Sequence, residues 1–242
     1  MRPYLYKDLY ELEEKHWWHI SKRRIILKLI SKYISIKNPK ILDIGCGTGK
    51  NVEVFSKIGQ AWGIDNSPLA IKFCKKRGLK NIRLGTAENT KFPADTFDII
   101  TLLDVLEHSD DKKIIKEVKR ILKKHRFLIL TVPALPQLWS NWDVVLHHKR
   151  RYTKNSLINL FNQNEFKLIR ISYMYSFLVL PTIIIRTIKN ILYPKNYPSD
   201  FRLSNPLLNF LLDKISTLES SLVINFSVPV GLSLIAILEK MN

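Results

Sequence analysis

The feature of this 242-residue chain that most constrains its fold is an alternation of short apolar runs with longer stretches of helical spacing. Five such runs follow one another from residue 40 onward: ILDIG, AWGID, NIRLG, FDIITLLD and RFLILTVP. Continuous apolar runs suit strands that are buried on both faces, and strands separated by helices imply a parallel sheet with right-handed crossovers. The pattern therefore predicts a doubly wound α/β domain.

The regular alternation of strand-like and helical segments ends after Pro133. There NSLINLFNQNEF predicts a helix, and FKLIRISYMY and GLSLIAILEK predict two further strands. Apolar segments broken by proline lie between these two strands, at about residues 176–221, and we interpret them as inserted helices. Residues 7–34 predict one or two helices ahead of the first strand.

The first apolar run ends in a glycine-rich loop, ILDIGCGTGKN at residues 41–51. The spacing GxxxxGK[ST] of a phosphate-binding loop is absent, so ATP hydrolysis is not expected. A dinucleotide fingerprint requires GxGxxG, and here the third glycine falls one position early. The GxGxG spacing lets the backbone of Gly45, Gly47 and Gly49 approach a ligand closely, with Asp43 placed to accept from a cationic amine. A plain glycine-rich turn is the alternative.

Asp65 ends the second apolar run about 20 residues past the glycine loop, where a carboxylate can accept both hydroxyls of a ribose. An aspartate shortly before Ser-Pro can instead cap the helix that begins there. Because Asn66 or Ser67 can supply that cap, Asp65 is left for a ribose-containing ligand.

Four ordered motifs, ILDIGCGTG, GIDNS, GTAENTKFPADTFDII and DVLEH, resemble those of class I S-adenosylmethionine (SAM)-dependent methyltransferases, particularly the ubiquinone-biosynthesis-like and general methyltransferase-domain group. The resemblance covers about residues 40–132. It implies a Rossmann-like seven-stranded sheet of order 3-2-1-4-5-7-6 with the last strand antiparallel, and the two strands after Pro133 can supply the final pair. It also implies SAM as the cofactor and S-adenosylhomocysteine as its product.

The resemblance also assigns residues to the cofactor. Besides Asp43 and Gly49, these are Gly45, Cys46 and Gly47 at the methionine part, Asp65 at the ribose with Asn66 beside it, Ala87 and Glu88 at the adenine, and Asp104 at the sulfonium end. Relatives often carry an acid where this chain has Thr86, so the contact to the adenine amino group is not carried over.

Two further segments, EEKHWWHISKRRIILKLI and LWSNWDVVLHHKRRYT, resemble parts of an uncharacterised methyltransferase group associated with glycan or lipid modification. Segments beyond the carboxyl ends of parallel strands are where such folds bind ligands. We therefore expect their aromatic and cationic side chains to bind the methyl acceptor, namely Trp17, Trp18, Trp139, Arg150, Arg151 and Tyr152. Core packing of the tryptophans and a solvated helix surface for the arginines are the alternatives.

Methyl transfer requires few catalytic side chains, because the sulfonium is already activated and the acceptor chiefly needs in-line positioning. A base is needed only where the acceptor loses a proton. His108 and His148 are the candidates, with Asp143 to orient a histidine, and each has a purely structural alternative. A metal site is not expected, because the adjacent His147 and His148 lack cysteine or carboxylate ligands at useful spacing.

Nucleic-acid bases are disfavoured as acceptors. Exocyclic-amine methyltransferases typically carry an Asp/Asn-Pro-Pro-aromatic motif after the fourth strand, where this chain has DVLEH. The cysteine route to pyrimidine C5 also lacks a nucleophile, since neither Cys46 nor Cys74 follows the fourth or fifth strand.

The insertion opens with SYMYSFLVLPTIIIRTIKNILYP, which is apolar for about a dozen residues and then turns basic. It is too short, and too interrupted by Pro181 and Arg186, to span a bilayer. Either it is a buried helix or it lies at an anionic membrane surface. The net charge of +18, from 39 basic and 21 acidic residues, attracts anionic lipid, nucleic acid or acidic substrates, although a lysine-rich genomic composition is an equally good explanation.

We expect a single domain over residues 1–242, with a helical lid at 1–38, a cofactor-binding core at 39–132 and an acceptor-side half at 133–242. The predicted function is SAM-dependent methyl transfer to a hydrophobic or lipid- or glycan-linked small molecule. Two cysteines and no recognisable leader predict a cytoplasmic protein, at the membrane periphery if the insertion meets a bilayer. The alternatives are an RNA or protein methyltransferase that uses the basic surface, and a non-catalytic cofactor-binding regulator.

Overall fold

The computed structural model describes residues 5–192 and 205–241 and contains, within them, a seven-stranded sheet of order β3-β2-β1-β4-β5-β7-β6. The strands are β1 (Lys40–Ile44), β2 (Gln60–Asp65), β3 (Ile82–Leu84), β4 (Phe97–Leu103), β5 (Leu122–Pro133), β6 (Phe166–Met174) and β7 (Ser233–Lys240). Strands β1 to β5 pair in parallel, whereas β7 is antiparallel to both β5 and β6. The sheet order and the antiparallel last strand predicted above are confirmed.

Helices lie ahead of the first strand and between later strands. They are α1 (Leu5–Lys15), α2 (Trp17–Tyr33), α3 (Lys50–Phe55), α4 (Pro68–Lys76), α5 (Asp111–Ile121), α6 (Asn141–Val145), α7 (Lys154–Ile158), α8 (Val179–Leu192) and α9 (Pro206–Asn225). Single 3-10 turns lie at Leu106–His108, Pro136–Leu138 and Ser176–Leu178.

The sheet is buried on both faces, because side chains alternate along each strand and helices cover both sides. Leu42 and Ile100 point to the face that packs against α5. Their neighbours Ile41 and Ile99 point to the other face, which packs against α2, α3 and α9. This two-sided burial explains why the strands read as continuous apolar runs.

Helix α2 from the N-terminal part packs beside α9 from the insertion. Arg24 donates from Nη2 to Asp213 Oδ1 at 2.7 Å, and Lys28 Nζ donates to Ser220 Oγ at 3.2 Å. The Trp18 ring stacks on Tyr175, directly after β6, with 3.9 Å between ring centroids. The predicted lid and insertion are therefore in contact with each other.

Two predicted boundaries were wrong. The helix expected over residues 155–166 ends at Ile158, because Asn162 caps a turn: its Oδ1 accepts the Asn164 N–H at 2.9 Å and its carbonyl accepts the Glu165 N–H at 2.9 Å. The insertion, expected to end near residue 221, continues in α9 to Asn225. Residues 193–204 of the insertion lie outside the described residues.

Candidate active site

A cavity of about 900 Å³ opens at the carboxyl ends of the parallel strands. It lies where β1 and β4 are neighbours and the strand order reverses, the position at which open α/β sheets bind ligands. One wall is formed by the glycine loop and the ends of β2 and β4. The other walls are formed by α1, the start of α2, residues 140–151 and part of α8.

The glycine loop borders the cavity at Gly45, Cys46 and Gly47. Gly45 has a φ of 73°, and a Cβ at this position would lie 2.5 Å from Val105 Cγ2, so a side chain would collide there. Gly49, with a φ of 90°, stands behind the cavity wall and begins α3. The loop therefore presents bare backbone to whatever occupies the cavity.

Asp65 ends β2 with its carboxylate at the cavity wall. Its Oδ2 accepts the Gly47 N–H and its Oδ1 accepts the Ser67 N–H, both at 2.9 Å, so it ties the glycine loop to α4. Ser67 itself caps α4 by accepting the Ala70 N–H, as the sequence predicted. Burial raises the pKa of Asp65. Each of its oxygens keeps a second lone pair with which to accept a hydroxyl.

The remaining residues assigned to the cofactor divide into two groups. Asn66, Ala87 and Glu88 line the cavity near Asp65, whereas Thr86 is exposed and outside it. Asp43 also lies outside the lining: it is buried, accepts from Thr101 Oγ1 at 2.5 Å, and burial raises its pKa to about 7. Asp43 is therefore not among the residues that line the cavity, and its contact with a cationic amine stays a prediction.

Asp104 follows β4 and reaches the cavity from a left-handed backbone conformation with a φ of 58°. It forms an ion pair with Lys22 of α2 and accepts from Thr131 Oγ1 at 2.9 Å. Burial alone would raise the pKa of Asp104, but the Lys22 ammonium, the hydrogen bond from Thr131 and the nearby His148 together outweigh burial, and the pKa is lowered. A fixed negative charge thus lies at the junction between the two ends of the cavity.

His148 projects into the cavity from the segment after α6, and its Nδ1 lies 2.9 Å from Asp143 Oδ1. Arg151 binds the same carboxylate through Nε at 2.7 Å and Nη2 at 3.0 Å. Burial alone would raise the pKa of Asp143, but the bonds from His148 and Arg151 hold it well below its usual range. An ionised Asp143 only accepts, so His148 Nδ1 carries a proton, and in the neutral imidazole Nε2 is the acceptor.

Glu107 and His108 lie in the 3-10 turn after β4 and reach the cavity beside His148. The His108 and His148 rings are 4.8 Å apart between centroids, and burial lowers the His108 pKa to about 4. Glu107 Oε1 lies 4.0 Å from His148 Nε2. A neutral histidine, a carboxyl group and the Asp143–His148 pair therefore meet at one end of the cavity.

Comparison with known proteins gives these features a family. Residues 42–130 match the family described as a methyltransferase domain. An uncharacterized methyltransferase of Bacillus subtilis, YcgJ, is 39% identical over 139 residues, which are 53% of this chain and 53% of that protein. The mitochondrial ubiquinone biosynthesis O-methyltransferase of Schizosaccharomyces pombe is 39% identical over 83 residues, 31% of this chain and 30% of that protein.

Residues 42–130 of this chain therefore form a class I SAM-dependent methyltransferase domain. The cofactor of that family is SAM. A chain of the solved complex between the Haloferax volcanii Trm112 methyltransferase activator and a methyltransferase has the same fold, with a TM-score of 0.63 and 13% identity over 98% of this chain and 94% of that one. The chain spans about half the length of the first curated relative it matches.

The methyltransferase domain brings only part of the expected acceptor set to the cavity. Trp18 and Arg151 line it. Four others pack or project elsewhere: Trp17 against Tyr175 and Phe177, Arg150 and Tyr152 against Asp111, and Trp139 at the surface. These residue types suit ligand binding, but the contacts of Trp17, Arg150 and Tyr152 lie within the fold. For Trp17 this is the core packing given above as the alternative.

Several cavity residues were missed by sequence reasoning. They are Lys22, Glu107 and Trp142 and, on α8, Ile185 and Arg186. Lys22 carries no local sequence signal, since it is one of 39 basic residues and only the fold pairs it with Asp104. Glu107 lies within DVLEH, but only Asp104 and His108 of that motif were assigned roles from the sequence.

The structure also adds a carboxylate to the histidines considered for metal binding. Glu107, His108 and His148 each place one ligand atom within 4.8 Å of the others. The spacing argument against a metal used only the adjacent His147 and His148, so it overlooked this grouping. Absence of a metal stays a prediction.

No helix in residues 5–192 or 205–241 combines the length and the apolar composition needed to cross a membrane.

Proposed function

We propose that this protein transfers a methyl group from SAM to a hydrophobic, lipid- or glycan-linked small molecule. The observation that carries the proposal is that helix α8 forms part of the cavity wall. Its residue Ile185 lines the cavity and is 50% exposed, and the outer surface of the helix is apolar. An acceptor could place a polar end near His148 while its apolar part leaves along α8.

The cofactor end of the cavity has a donor and acceptor set that fits SAM. Asp65 offers acceptors for ribose hydroxyls, the Gly45 and Gly47 backbone leaves room for close approach, and the carboxylate of Asp104 favours a nearby positive charge. When bound, SAM supplies an activated methyl group. The protein's part is to hold both partners in line and exclude water.

His148 is placed to take a proton from an acceptor. The Asp143 carboxylate fixes its tautomer, so that Nε2 faces the cavity as an acceptor. His108 stays neutral because burial lowers its pKa, and it packs against His148. We therefore assign the base to His148, its orientation to Asp143, and the packing of its ring to His108.

The surface of the insertion supports a peripheral contact with an anionic membrane. Helix α9 buries polar residues such as Ser216, Glu219 and Ser220, whereas its outer face is apolar. This reverses the usual amphipathic arrangement. The exposed apolar residues of α8 and α9, here called the outer apolar face, are Leu180, Ile183, Ile184, Ile185, Ile188, Leu207, Leu208, Phe210, Leu211, Ile215, Leu218 and Leu222.

Charge next to the outer apolar face has the sign that anionic lipid requires. Lys28 and Lys32 are exposed on α2 along α9, and Lys214 is exposed on α9 itself. Both acids of α9 are engaged internally, Asp213 with Arg24 and Glu219 with the N–H groups of residues 175 and 176. Apolar burial and attraction to lipid headgroups would therefore act together.

The first test is to incubate the protein with methyl-labelled SAM and a lysate of cells that carry its gene, and to partition the products between organic solvent and water. Label in the organic phase is the expected result. Label in nuclease- or protease-sensitive aqueous material, lost steeply with salt, would instead establish RNA or protein methylation. SAM binding without any transfer would establish a non-catalytic role.

A matched pair of variants tests the route along α8. Ile185→Asp and Ile188→Asp introduce the same charge on one helix at residues that are each 50% exposed, but only Ile185 lines the cavity. We expect Ile185→Asp to raise the apparent KM for the acceptor well above the value for Ile188→Asp, with SAM affinity unchanged in both. Equal effects on KM would remove α8 from the acceptor site.

A further inference from the structure

Glu107 is the least explained group in the cavity. Its side chain has no exposed surface, and neither carboxyl oxygen has a hydrogen-bond partner in the described part of the chain. A buried carboxyl without partners destabilises a fold unless something else satisfies it. Because Glu107 reaches the cavity, an acceptor bound there can supply the missing partner.

The environment of Glu107 favours its protonated form. Burial raises its pKa well above the usual range, and the Asp104 carboxylate acts in the same direction. Lys22 from α2 and Arg151 from the segment after α6 oppose the shift more weakly, and His148 also faces the group. A neutral carboxyl group is a hydrogen-bond donor, which an ionised one is not.

The separation between Glu107 and His148 is that of two groups bridged by one oxygen atom. Glu107 Oε1 and His148 Nε2 are 4.0 Å apart, too far for a direct hydrogen bond. An oxygen at about 2.8 Å from each would make two good hydrogen bonds, with an angle of about 90° between them. Glu107 would donate to this oxygen and His148 Nε2 would accept from it.

We propose that Glu107 and His148 bracket a hydroxyl oxygen of the acceptor, so that the enzyme methylates oxygen; this inference rests on the proposed function. A hydroxyl can accept from Glu107 with one lone pair, donate to His148, and attack with its second lone pair. An amine has a single lone pair, which cannot both accept from Glu107 and attack. A carbon nucleophile offers Glu107 no lone pair.

The proton and electron balance follows from this geometry. The hydroxyl O–H bond breaks and its proton passes to His148 Nε2. The new O–C bond to the transferred methyl group forms as the C–S bond breaks, and the electron pair of that bond stays on sulfur. Glu107 keeps its proton throughout and acts as a donor to the acceptor oxygen, while the imidazolium is stabilised by Asp143.

A divalent cation between Glu107, His108 and His148 is the competing interpretation of the same atoms. It requires Glu107 to be ionised, because a carboxyl group binds a metal as its anion. The two interpretations therefore differ in the protonation state of one side chain, which can be measured without any acceptor.

The first experiment compares infrared spectra of the wild-type protein and Glu107→Gln at pH 7. We expect a neutral carboxyl C=O band that disappears in Glu107→Gln and persists in the control Glu239→Gln, a partly buried acid on β7 outside the cavity lining. If no such band is lost, Glu107 is ionised and the proposal is wrong. Retention of Mg²⁺ or Zn²⁺ by the wild type but not by Glu107→Gln would contradict it as well.

The second experiment identifies the methylated atom. With ¹³C-methyl SAM and the source lysate, the chemical shift of the product methyl group distinguishes O-methyl from N-methyl and C-methyl. An O-methyl product is expected. An N- or C-methyl product in the organic phase would overturn the inference and leave the proposed function standing. A neutral Glu107 with no methylated product at all would contradict the proposed function, and with it this use of Glu107.

The third experiment separates donation from packing. Glu107→Leu should lower kcat/KM by about 10- to 100-fold, whereas Glu107→Gln, which keeps a neutral donor, should lose about threefold. Wild-type activity should fall as pH rises through the raised Glu107 pKa, and Glu107→Gln should lack that alkaline limb. Glu239→Gln should keep it. Equal losses in both Glu107 variants, with an unchanged pH profile, would assign Glu107 a packing role.

Discussion

The two ends of the cavity are built by different means. The cofactor end is made of consecutive strand-to-helix turns, in which Asp65 is fixed by the Gly47 and Ser67 backbone. The acceptor end is made of side chains from distant segments: Lys22 on α2 pairs with Asp104 after β4, and His148 lies beside Glu107. The first end depends on local backbone geometry, and the second depends on how separate elements pack.

This difference explains how one fold can serve many acceptors. Backbone groups at the ends of β1 and β2 change little when surface residues change, so the cofactor end persists. Side chains on α2, the segment after α6 and α8 can be replaced without altering the sheet. Variants at the two ends should accordingly separate binding of SAM from transfer of its methyl group.

The largest expected effect is at the acceptor end. His148→Gln removes the base while keeping a polar side chain of similar length, so turnover should fall by about 10²- to 10⁴-fold. SAM affinity, measured by calorimetry, should stay within about twofold, because the cofactor end is untouched. The control is His125→Gln, an exposed histidine on β5. An equal loss of SAM affinity would show that the two ends are not separable.

The opposite pattern is expected for Asp65→Asn. The amide cannot replace both carboxylate oxygens as acceptors, so the dissociation constant for SAM should rise by about 10- to 100-fold. Turnover at saturating SAM should change much less. Asp98→Asn is the matched control, since Asp98 likewise accepts a backbone N–H, from Lys40 at 2.9 Å, and lies outside the cavity lining. Unchanged SAM affinity in Asp65→Asn would contradict the ribose assignment.

The cofactor end was predictable from sequence because its determinants are local. Apolar runs mark the buried strands, the glycine spacing marks the loop after β1, and Ser67, two residues after Asp65, marks the start of α4. Even so, Asp43 was assigned to the ligand, whereas its side chain is buried and accepts a hydrogen bond from Thr101. Strand-end position alone does not tell which face of the sheet a side chain takes.

The acceptor end was only partly predictable, because its pairings depend on tertiary packing. The structure brings Asp143 and His148 together as expected, since they are five residues apart around one short helix. The Lys22–Asp104 pair joins residues 82 positions apart, and no local pattern marks it. Trp17 and Tyr152 were chosen for their chemistry, but both are buried in contacts within the fold.

A smaller effect, on stability, tests the backbone character of the cofactor end. Gly45→Ala places a Cβ 2.5 Å from Val105 Cγ2 at a φ of 73°, which should lower the free energy of unfolding by about 1–3 kcal/mol. Urea denaturation measures this loss. The double variant Gly45→Ala with Val105→Ala relieves the collision but not the backbone strain, so it should recover only part of the loss relative to Val105→Ala alone. Full recovery of the free energy of unfolding would mean that glycine is required at position 45 only because a side chain would not fit.

The smallest effect is expected at Leu218, a residue of the outer apolar face that lies outside the cavity lining. Leu218 is 75% exposed on α9, and moving such a side chain into a bilayer interface contributes about 1 kcal/mol, so Leu218→Gln should weaken partitioning to vesicles containing anionic lipid by about fivefold. Leu84→Gln is the matched control, because Leu84 is 60% exposed on the edge strand β3. Sedimentation with vesicles measures both variants, and neither should alter SAM affinity. Equal losses of vesicle partitioning for the two leucine variants would mean that vesicle binding is nonspecific. The acceptor would then have to reach α8 from solution.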